Sequence, residues 1–185
     1  MLSDRALIAY IAWVLIYRVA ENVAMRKAGS AGKQPVRDWT AWLIIVPYYL
    51  VLLGAPAEHL YLETEPGVLH WVLGSLLFLA ATVVRTKAHL DLQKGFSMFL
   101  ETPEEQGLVT TGLYGAIRHP LYLGNLLLFL ACPLFLAVTW TWALTALGIV
   151  GLLVRIPIEE RFLAERFAAY ESYKKESAAL IPGIY

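Results

Sequence analysis

The stretch TGLYGAIRHPLYLGN, from Thr111 to Asn125, places an arginine, a histidine and two tyrosines at the entrance of an otherwise apolar segment. Its Pro120 predicts a helix start, because proline is favoured at the first helical position. A helix N-terminus offers unpaired N–H groups and partial positive charge. The stretch therefore predicts an apolar helix whose entrance holds a polar ligand. On these residues alone, a second reading stays open, in which Arg118 reaches lipid headgroups and His119 only caps the helix.

The composition around this stretch is that of a membrane protein. Hydrophobic residues make up 58% of the 185 and charged residues 16%, against about 25% charged residues in a typical soluble domain. The single Cys132 excludes an internal disulfide and a cysteine-based metal cluster, and we expect it to be a small buried side chain. The first apolar stretch follows Asp4 and Arg5 without a net positive leading region. It is therefore predicted to be a retained membrane helix and not a cleaved signal peptide.

Five apolar segments predict five membrane-spanning helices. They cover residues 6–20, 39–55, 67–84, 121–138 and 140–158. Pro47 is expected to kink the second span without breaking it. The connections are predicted to be a loop at 29–38, a polar acidic segment at 56–66, a long polar region at 85–118 and a tight hairpin turn at 139–141. From Glu159 onwards apolar side chains recur at helical spacing, which predicts a C-terminal amphipathic helix on the membrane surface or under the bundle.

The basic residues indicate the orientation. With five crossings, the regions 18–38, 85–118 and 155–185 lie on one side and hold 14 of the 15 Lys and Arg residues. Basic loops face the cytoplasm. The prediction is a bacterial inner-membrane protein whose N-terminus is outside and whose candidate site faces the cytoplasm.

A second polar constellation lies at the end of the fifth segment, where Arg155 and Glu159 are four residues apart and can share a helix face. An ionisable residue within a span is a functional hypothesis by default, the alternative being a snorkelling arginine with an interfacial ion pair. Both hairpin helices are about 27 Å long at 18 residues, so their polar ends should meet at one depth. Tyr114, His119 and Tyr122 are thus expected to converge with Arg155 and Glu159, whereas Glu160 and Arg161 are expected on a solvated face.

Several motifs are missing from the sequence. It contains neither a Gly-x-Gly-x-x-Gly fingerprint nor a phosphate loop, so no Rossmann domain is predicted. The four histidines, at 59, 70, 89 and 119, are not spaced as metal ligands, so no metal is predicted. His59 and His70 are expected at the outer interface. No nucleic-acid partner is predicted.

Taken in order, short motifs between residues 71 and 182 resemble the isoprenylcysteine carboxyl methyltransferase family, which is related to the membrane phospholipid methyltransferases. The segments that carry the resemblance are Leu73-Gly74, Arg85-Thr86, Gly95-Phe96-Ser97, residues 108–114, residues 118–124, Arg155-Ile156, Glu159-Glu160, Phe167, Tyr170, Tyr173 and Ile181-Pro182.

The resemblance implies an all-α integral membrane enzyme that binds S-adenosylmethionine in a pocket closed by its C-terminal helices. The cofactor-binding positions it implies are Gln106, Gly107, Leu108, Val109, Tyr114, His119, Pro120, Leu121, Tyr122 and Glu159. It implies that Arg155 faces the substrate and serves as the catalytic residue. Gln106 stands where the family usually has a histidine, and the tail before Ile181 lacks the basic residue that the family often carries.

The chain is accordingly expected to be one membrane domain, with a two-helix part at 1–65 and a cofactor-binding catalytic core at 66–185. We expect an amphiphilic or lipid-like acceptor that enters from the bilayer. A prenylcysteine carboxylate, a phospholipid amine, a small thiol and a lipidic hydroxyl or pyrone all remain possible acceptors. The alternative is a non-enzymatic integral membrane protein of transport or assembly that keeps the same scaffold.

Overall fold

The protein is described by a computed structural model, which covers residues 2–28, 39–92 and 107–183. Six α-helices follow one another in this part of the chain: α1 (Leu2–Lys27), α2 (Trp42–Leu62), α3 (Val68–Leu92), α4 (Pro120–Phe135), α5 (Thr141–Arg166) and α6 (Tyr170–Glu176). Short 3₁₀ helices at Trp39–Ala41 and Gly112–Gly115 precede α2 and α4. The predicted all-α integral membrane class is confirmed, and no strand is present in the described residues.

In the part of the chain that the structure describes, four helices are long and apolar enough to cross a membrane: Asp4–Lys27, Trp39–Leu62, Val68–Leu92 and Thr141–Arg166. The remaining apolar helix, α4, has 16 residues and is therefore about 24 Å long, which is shorter than the roughly 30 Å hydrocarbon core of a bilayer. It ends at Phe135 because the chain turns there, with Ala137 in the left-handed region at φ 52°. The five predicted apolar segments thus form four long helices and one short one.

The helix α4 lies at the centre of the bundle, in contact with α1, α2, α3 and α5. Its buried side chains, among them Leu128, Phe129 and Phe135, belong to the main apolar cluster. The ring of Phe135 lies 5.9 Å from that of Phe78 on α3, and the backbone at Phe135 approaches Gly74 so closely that a Cβ there would overlap it. Close approach of small residues is the usual way in which membrane helices pack, because van der Waals contact replaces the hydrophobic effect.

The predicted polar connection at 56–66 is wrong for its first half, because α2 continues to Leu62. The carboxylate of Glu58 accepts hydrogen bonds from the backbone amides of Thr139, Trp140 and Thr141 at 2.7, 2.6 and 2.7 Å. These amides have no acceptor within α5, so the buried carboxylate caps that helix. His59, expected at the interface, is fully buried, with Nδ1 2.6 Å from the hydroxyl of Thr64.

The predicted C-terminal amphipathic helix is divided in two. Its first part continues α5 as far as Arg166, and the chain then becomes extended at Phe167 before the short α6 begins. Beyond α6, Ala178 pairs with Ile117 in a parallel bridge. The C-terminal segment therefore lies against the residues that lead into α4.

Candidate functional site

The entrance of α4 is held by the C-terminal segment through backbone hydrogen bonds. The amides of Arg118 and His119 donate to the carbonyl oxygens of Ala178 and Ala179 at 2.8 and 3.0 Å. Pro120 occupies the first turn of α4, where its missing N–H costs nothing. These hydrogen bonds thus fix the backbone at the entrance of α4.

Arg118 links the entrance of α4 to α5. Its Nε donates to Glu160 at 2.7 Å, and its Nη1 donates to the backbone oxygens of Ser177 and Lys174. Lys174 Nζ lies 2.9 Å from the other oxygen of Glu160. The prediction that Glu160 lies on a solvated face is therefore wrong, since two cations and the fold around them enclose it, leaving 7% of the residue exposed.

Tyr122 joins the two polar constellations that the sequence separates by more than thirty residues. Its hydroxyl donates to Glu159 and accepts from Arg155 Nε at 2.8 Å. Arg155 Nη1 also donates to the hydroxyl of Thr40 at 2.5 Å. The i, i+4 spacing places Arg155 and Glu159 on one face of α5 despite Pro157 between them. One hydroxyl thus contacts both the carboxylate and the guanidinium.

His119 completes this group. Its ring stacks on that of Tyr122, with centroids 5.3 Å apart and an interplanar angle of 6°. Its Nδ1 lies 3.9 Å from Glu159 and its Nε2 lies 3.5 Å from Glu160. The imidazole is therefore enclosed between an aromatic face and two carboxylates.

A cavity of about 320 Å³ lies beside these residues, within the size range of ligand pockets, roughly 300 to 1,000 Å³. Ten of the eleven site residues suggested by the sequence line it: Gly107, Leu108, Val109, Tyr114, His119, Pro120, Leu121, Tyr122, Arg155 and Glu159. Gln106 lies outside the described residues. Their roles remain predictions, but they surround one space.

Two tyrosine hydroxyls are buried at this cavity without a partner. Within the described residues, the hydroxyls of Tyr114 and Tyr170 have no hydrogen-bond partner, and both residues line the cavity. Burial raises the pKa of Tyr114, and the nearby Glu159 adds to that effect. Burial likewise raises the pKa of Tyr170. Both phenols are therefore protonated at neutral pH and available to a ligand, because buried polar groups normally find partners.

Sequence reasoning missed a second polar cluster on the other side of the cavity. Arg85 on α3 is buried and donates through Nε to Glu21 on α1 at 2.8 Å and through Nη1 to the side-chain oxygen of Asn125 on α4. The burial of Glu21 and Arg85 could not be predicted from the sequence, because both lie near helix ends. Asn125, however, is an amide inside an apolar segment, and such a polar residue is itself a signal.

Helices α1 and α2 supply the remaining wall. Arg18, Asn22 and Met25 face the cavity from α1, and Ile44, Ile45, Tyr48 and Tyr49 face it from α2. The N-terminal two-helix part therefore shares the cavity with the predicted catalytic core.

Fold and site together define an integral membrane α-helical protein with a mostly apolar cavity that is lined by a few charged side chains and by tyrosine hydroxyls. This chain belongs to the phospholipid methyltransferase family, whose model matches residues 69–170. The resemblance noted in its sequence is confirmed.

Three curated relatives carry methyltransferase names. Methanethiol S-methyltransferase 2 of Bradyrhizobium diazoefficiens is 36% identical over 121 residues, which are 63% of this chain and 45% of that protein. Protein-S-isoprenylcysteine O-methyltransferase of Saccharomyces cerevisiae is 35% identical over 126 residues, 61% of this chain and 49% of that protein. The chain thus spans about half the length of these two relatives. Protein-S-isoprenylcysteine O-methyltransferase A of Arabidopsis thaliana is 29% identical over 161 residues, 76% of each chain.

Proposed function

We propose that this chain is a membrane-embedded S-adenosylmethionine-dependent methyltransferase that acts on an amphiphilic acceptor. The observation that carries the proposal is the cavity in which Tyr122 joins Glu159 to Arg155, next to His119. Family membership and the names of the relatives support the reaction class.

The residues at the cavity fit such a cofactor. The Glu159 carboxylate suits an ammonium group, and the unpartnered phenols of Tyr114 and Tyr170 can donate to a carboxylate or to ring nitrogens. Aromatic faces at Tyr114, Tyr122 and Tyr173 suit a sulfonium, by cation–π attraction. When bound, the cofactor supplies a methyl group already activated on positive sulfur, so the protein has mainly to position the acceptor in line with it.

Charge favours an anionic acceptor. Among the described residues lining the cavity, four are arginines (Arg18, Arg85, Arg118 and Arg155) and two are glutamates (Glu21 and Glu159). A sulfonium cofactor with one ammonium and one carboxylate adds a further positive charge. Because an uncompensated charge is costly in a poorly solvated site, a carboxylate or thiolate acceptor fits better than a phospholipid ammonium.

Cofactor binding tests the proposal directly. The detergent-solubilised protein is titrated with S-adenosylmethionine and S-adenosylhomocysteine in a calorimeter, and we expect saturable binding of both. We expect Glu159→Ala to abolish binding, since it removes the carboxylate that suits the ammonium. The matched control is Glu165→Ala, which changes an exposed glutamate of the same helix and should bind as the wild type does. A folded wild-type protein that binds neither compound would refute the proposal.

Turnover tests the acceptor class. The acceptors compared are an S-farnesylated N-acetylcysteine, methanethiol and phosphatidylethanolamine in mixed micelles. We expect transfer to the carboxylate or the thiol, and we expect Arg155→Ala to lose transfer while it keeps cofactor affinity. Equal loss of binding in Arg155→Ala and Glu159→Ala would contradict their separate roles. Cofactor binding without transfer to any acceptor would favour the non-enzymatic alternative.

We further propose that this site faces the cytoplasm of a bacterial cell and that the N-terminus lies outside. The uneven distribution of Lys and Arg over the connections supports this orientation.

A further inference from the structure

The buried cluster opposite Glu159 is organised around Arg85. Its Nε and Nη2 both donate to one oxygen of Glu21, and its Nη1 donates to the side-chain oxygen of Asn125 and, at 3.3 Å, to the backbone oxygen of Leu121. The other Glu21 oxygen accepts from Arg18 at 2.7 Å. The guanidinium thereby connects α1, α3 and the first turns of α4.

The backbone of α4 is shaped to accept this arginine. A Cβ at Gly124 would overlap Cγ of Arg85, so the arginine side chain crosses α4 where only glycine leaves room. Asn125 follows directly and is 6% exposed. The position of the asparagine is therefore set by two neighbours, the glycine before it and the guanidinium that its oxygen binds.

This contact determines which way the amide points. A guanidinium has donors only, so the atom of Asn125 that meets Arg85 must be the carbonyl oxygen. The NH₂ group is then the part of the amide that can donate a hydrogen bond to another partner, and Asn125 lines the cavity. Asn125 lies three residues beyond Tyr122, about 4.5 Å further along α4, and its side-chain oxygen contacts Arg85 on α3.

We propose that Asn125 is a specificity-determining residue that donates a hydrogen bond from its NH₂ group to the methyl acceptor, with the Glu21–Arg85 pair as its positioning residues. The inference rests on the proposed function. Its consequence is chemical: the acceptor presents a hydrogen-bond acceptor atom at Asn125, such as a carboxylate oxygen or a thiolate sulfur. A group that offers only N–H donors leaves the amide unpaired, which disfavours its binding.

The discriminating variant is Asn125→Asp. It keeps the shape and the oxygen that Arg85 binds, and it replaces the NH₂ donor by an acceptor. In the described part of the cluster, the two arginines Arg18 and Arg85 face one glutamate, Glu21. The carboxylate that Asn125→Asp introduces gives these four side chains a net charge of about zero. We therefore expect the variant to fold with unchanged thermal stability, while Asn125→Leu, which leaves a buried Arg85 donor without its acceptor, is destabilised.

The variant is measured in detergent in two ways. Calorimetry gives its affinity for S-adenosylhomocysteine. The protein saturated with cofactor is then assayed for binding and methylation of the S-farnesylated N-acetylcysteine. We expect Asn125→Asp to keep the cofactor Kd and to raise the acceptor Kd and KM by roughly tenfold or more, the effect of losing a hydrogen bond to a charged group. Glu165→Gln, which alters the charge of an exposed residue on α5, is the control and should match the wild type.

An unchanged acceptor Kd and KM in a stable Asn125→Asp variant would overturn the inference and leave Asn125 with a structural role only. A weakened cofactor Kd with an unchanged acceptor Kd would also overturn it, by assigning the amide to the cofactor. A wild-type protein that binds no cofactor contradicts the proposed function instead, so the two failures are distinguishable.

Discussion

Tyr122 is the residue on which the candidate site depends most directly. Its hydroxyl accepts from Arg155 and donates to Glu159, and its ring stacks on His119. A phenol is a neutral side-chain group that, like other hydroxyls, can donate to a carboxylate and accept from a guanidinium through one atom. At this scale the protein places a hydroxyl between opposite charges, in contact with both the carboxylate of Glu159 and the guanidinium of Arg155.

Replacing Tyr122 by phenylalanine removes this hydroxyl and keeps the ring. We expect Arg155 to move onto Glu159 and to neutralise it, because hydrogen bonds to charged groups are worth about 1.5–3 kcal/mol and both partners have lost one. The affinity for S-adenosylmethionine should fall by roughly tenfold or more, as measured by calorimetry.

The control for this variant is Tyr61→Phe, which changes a tyrosine that is 76% exposed. Unaltered affinity and turnover in Tyr122→Phe would mean that the hydroxyl does not organise the site.

At the scale of elements, the register between α2 and α5 decides where Arg155 and Glu159 lie. The two helices approach closely at Gly151, where a Cβ would overlap the backbone oxygen of Leu43. The carboxylate of Glu58 binds the first amides of α5 at the other end of the pair. One contact limits the distance between the helices and the other limits sliding along them.

Glu58→Ala should loosen this arrangement. Three amides and the hydroxyl of Thr141 lose their acceptor, and the free energy of unfolding should fall by about 1–3 kcal/mol, the cost of leaving buried donors unpaired. Thermal unfolding in detergent is the measurement.

The matched variant is Glu63→Ala, an exposed glutamate in the turn that follows α2, and it should unfold as the wild type does. Equal unfolding temperatures for Glu58→Ala and wild type would refute the capping role.

On the scale of the whole molecule, the cavity is displaced towards one end of the bundle. The helices α3 and α5 have 25 and 26 residues, so the 16-residue α4 is about 13–15 Å shorter than either. At the entrance of α4, residues 116–119 pair with Ala178 and Ala179 of the C-terminal segment. Under the proposed function, an amphiphilic acceptor keeps its chain in lipid while its polar end reaches this cavity.

The orientation of this end can be measured by labelling single cysteines. In a Cys132→Ala background, Glu63→Cys lies between α2 and α3, and Lys174→Cys lies on α6 at the opposite end. We predict that a membrane-impermeant maleimide added to intact bacterial spheroplasts labels the first and not the second, and that inverted vesicles give the reverse. Labelling of both positions from one side would contradict the predicted topology.

Much of the architecture was predictable from local chemistry. Apolar runs and a proline at the α4 entrance predict the helices and the hairpin. The spacing of Arg155 and Glu159 predicts a shared face. These features depend on neighbours within a few residues, so a single sequence contains them. The order of short motifs also pointed to the family.

Only the tertiary structure decided which polar residues are buried and with what partners. Glu21, Arg85 and Asn125 come from three helices, and Glu160 changes from a predicted surface residue to a buried one because Arg118 and Lys174 reach it from distant segments. The sequence by itself determined that the chain is a helical membrane protein with a polar helix entrance. The pairing of charges was decided by the packing, because a buried charge is stable only where a partner from another element meets it.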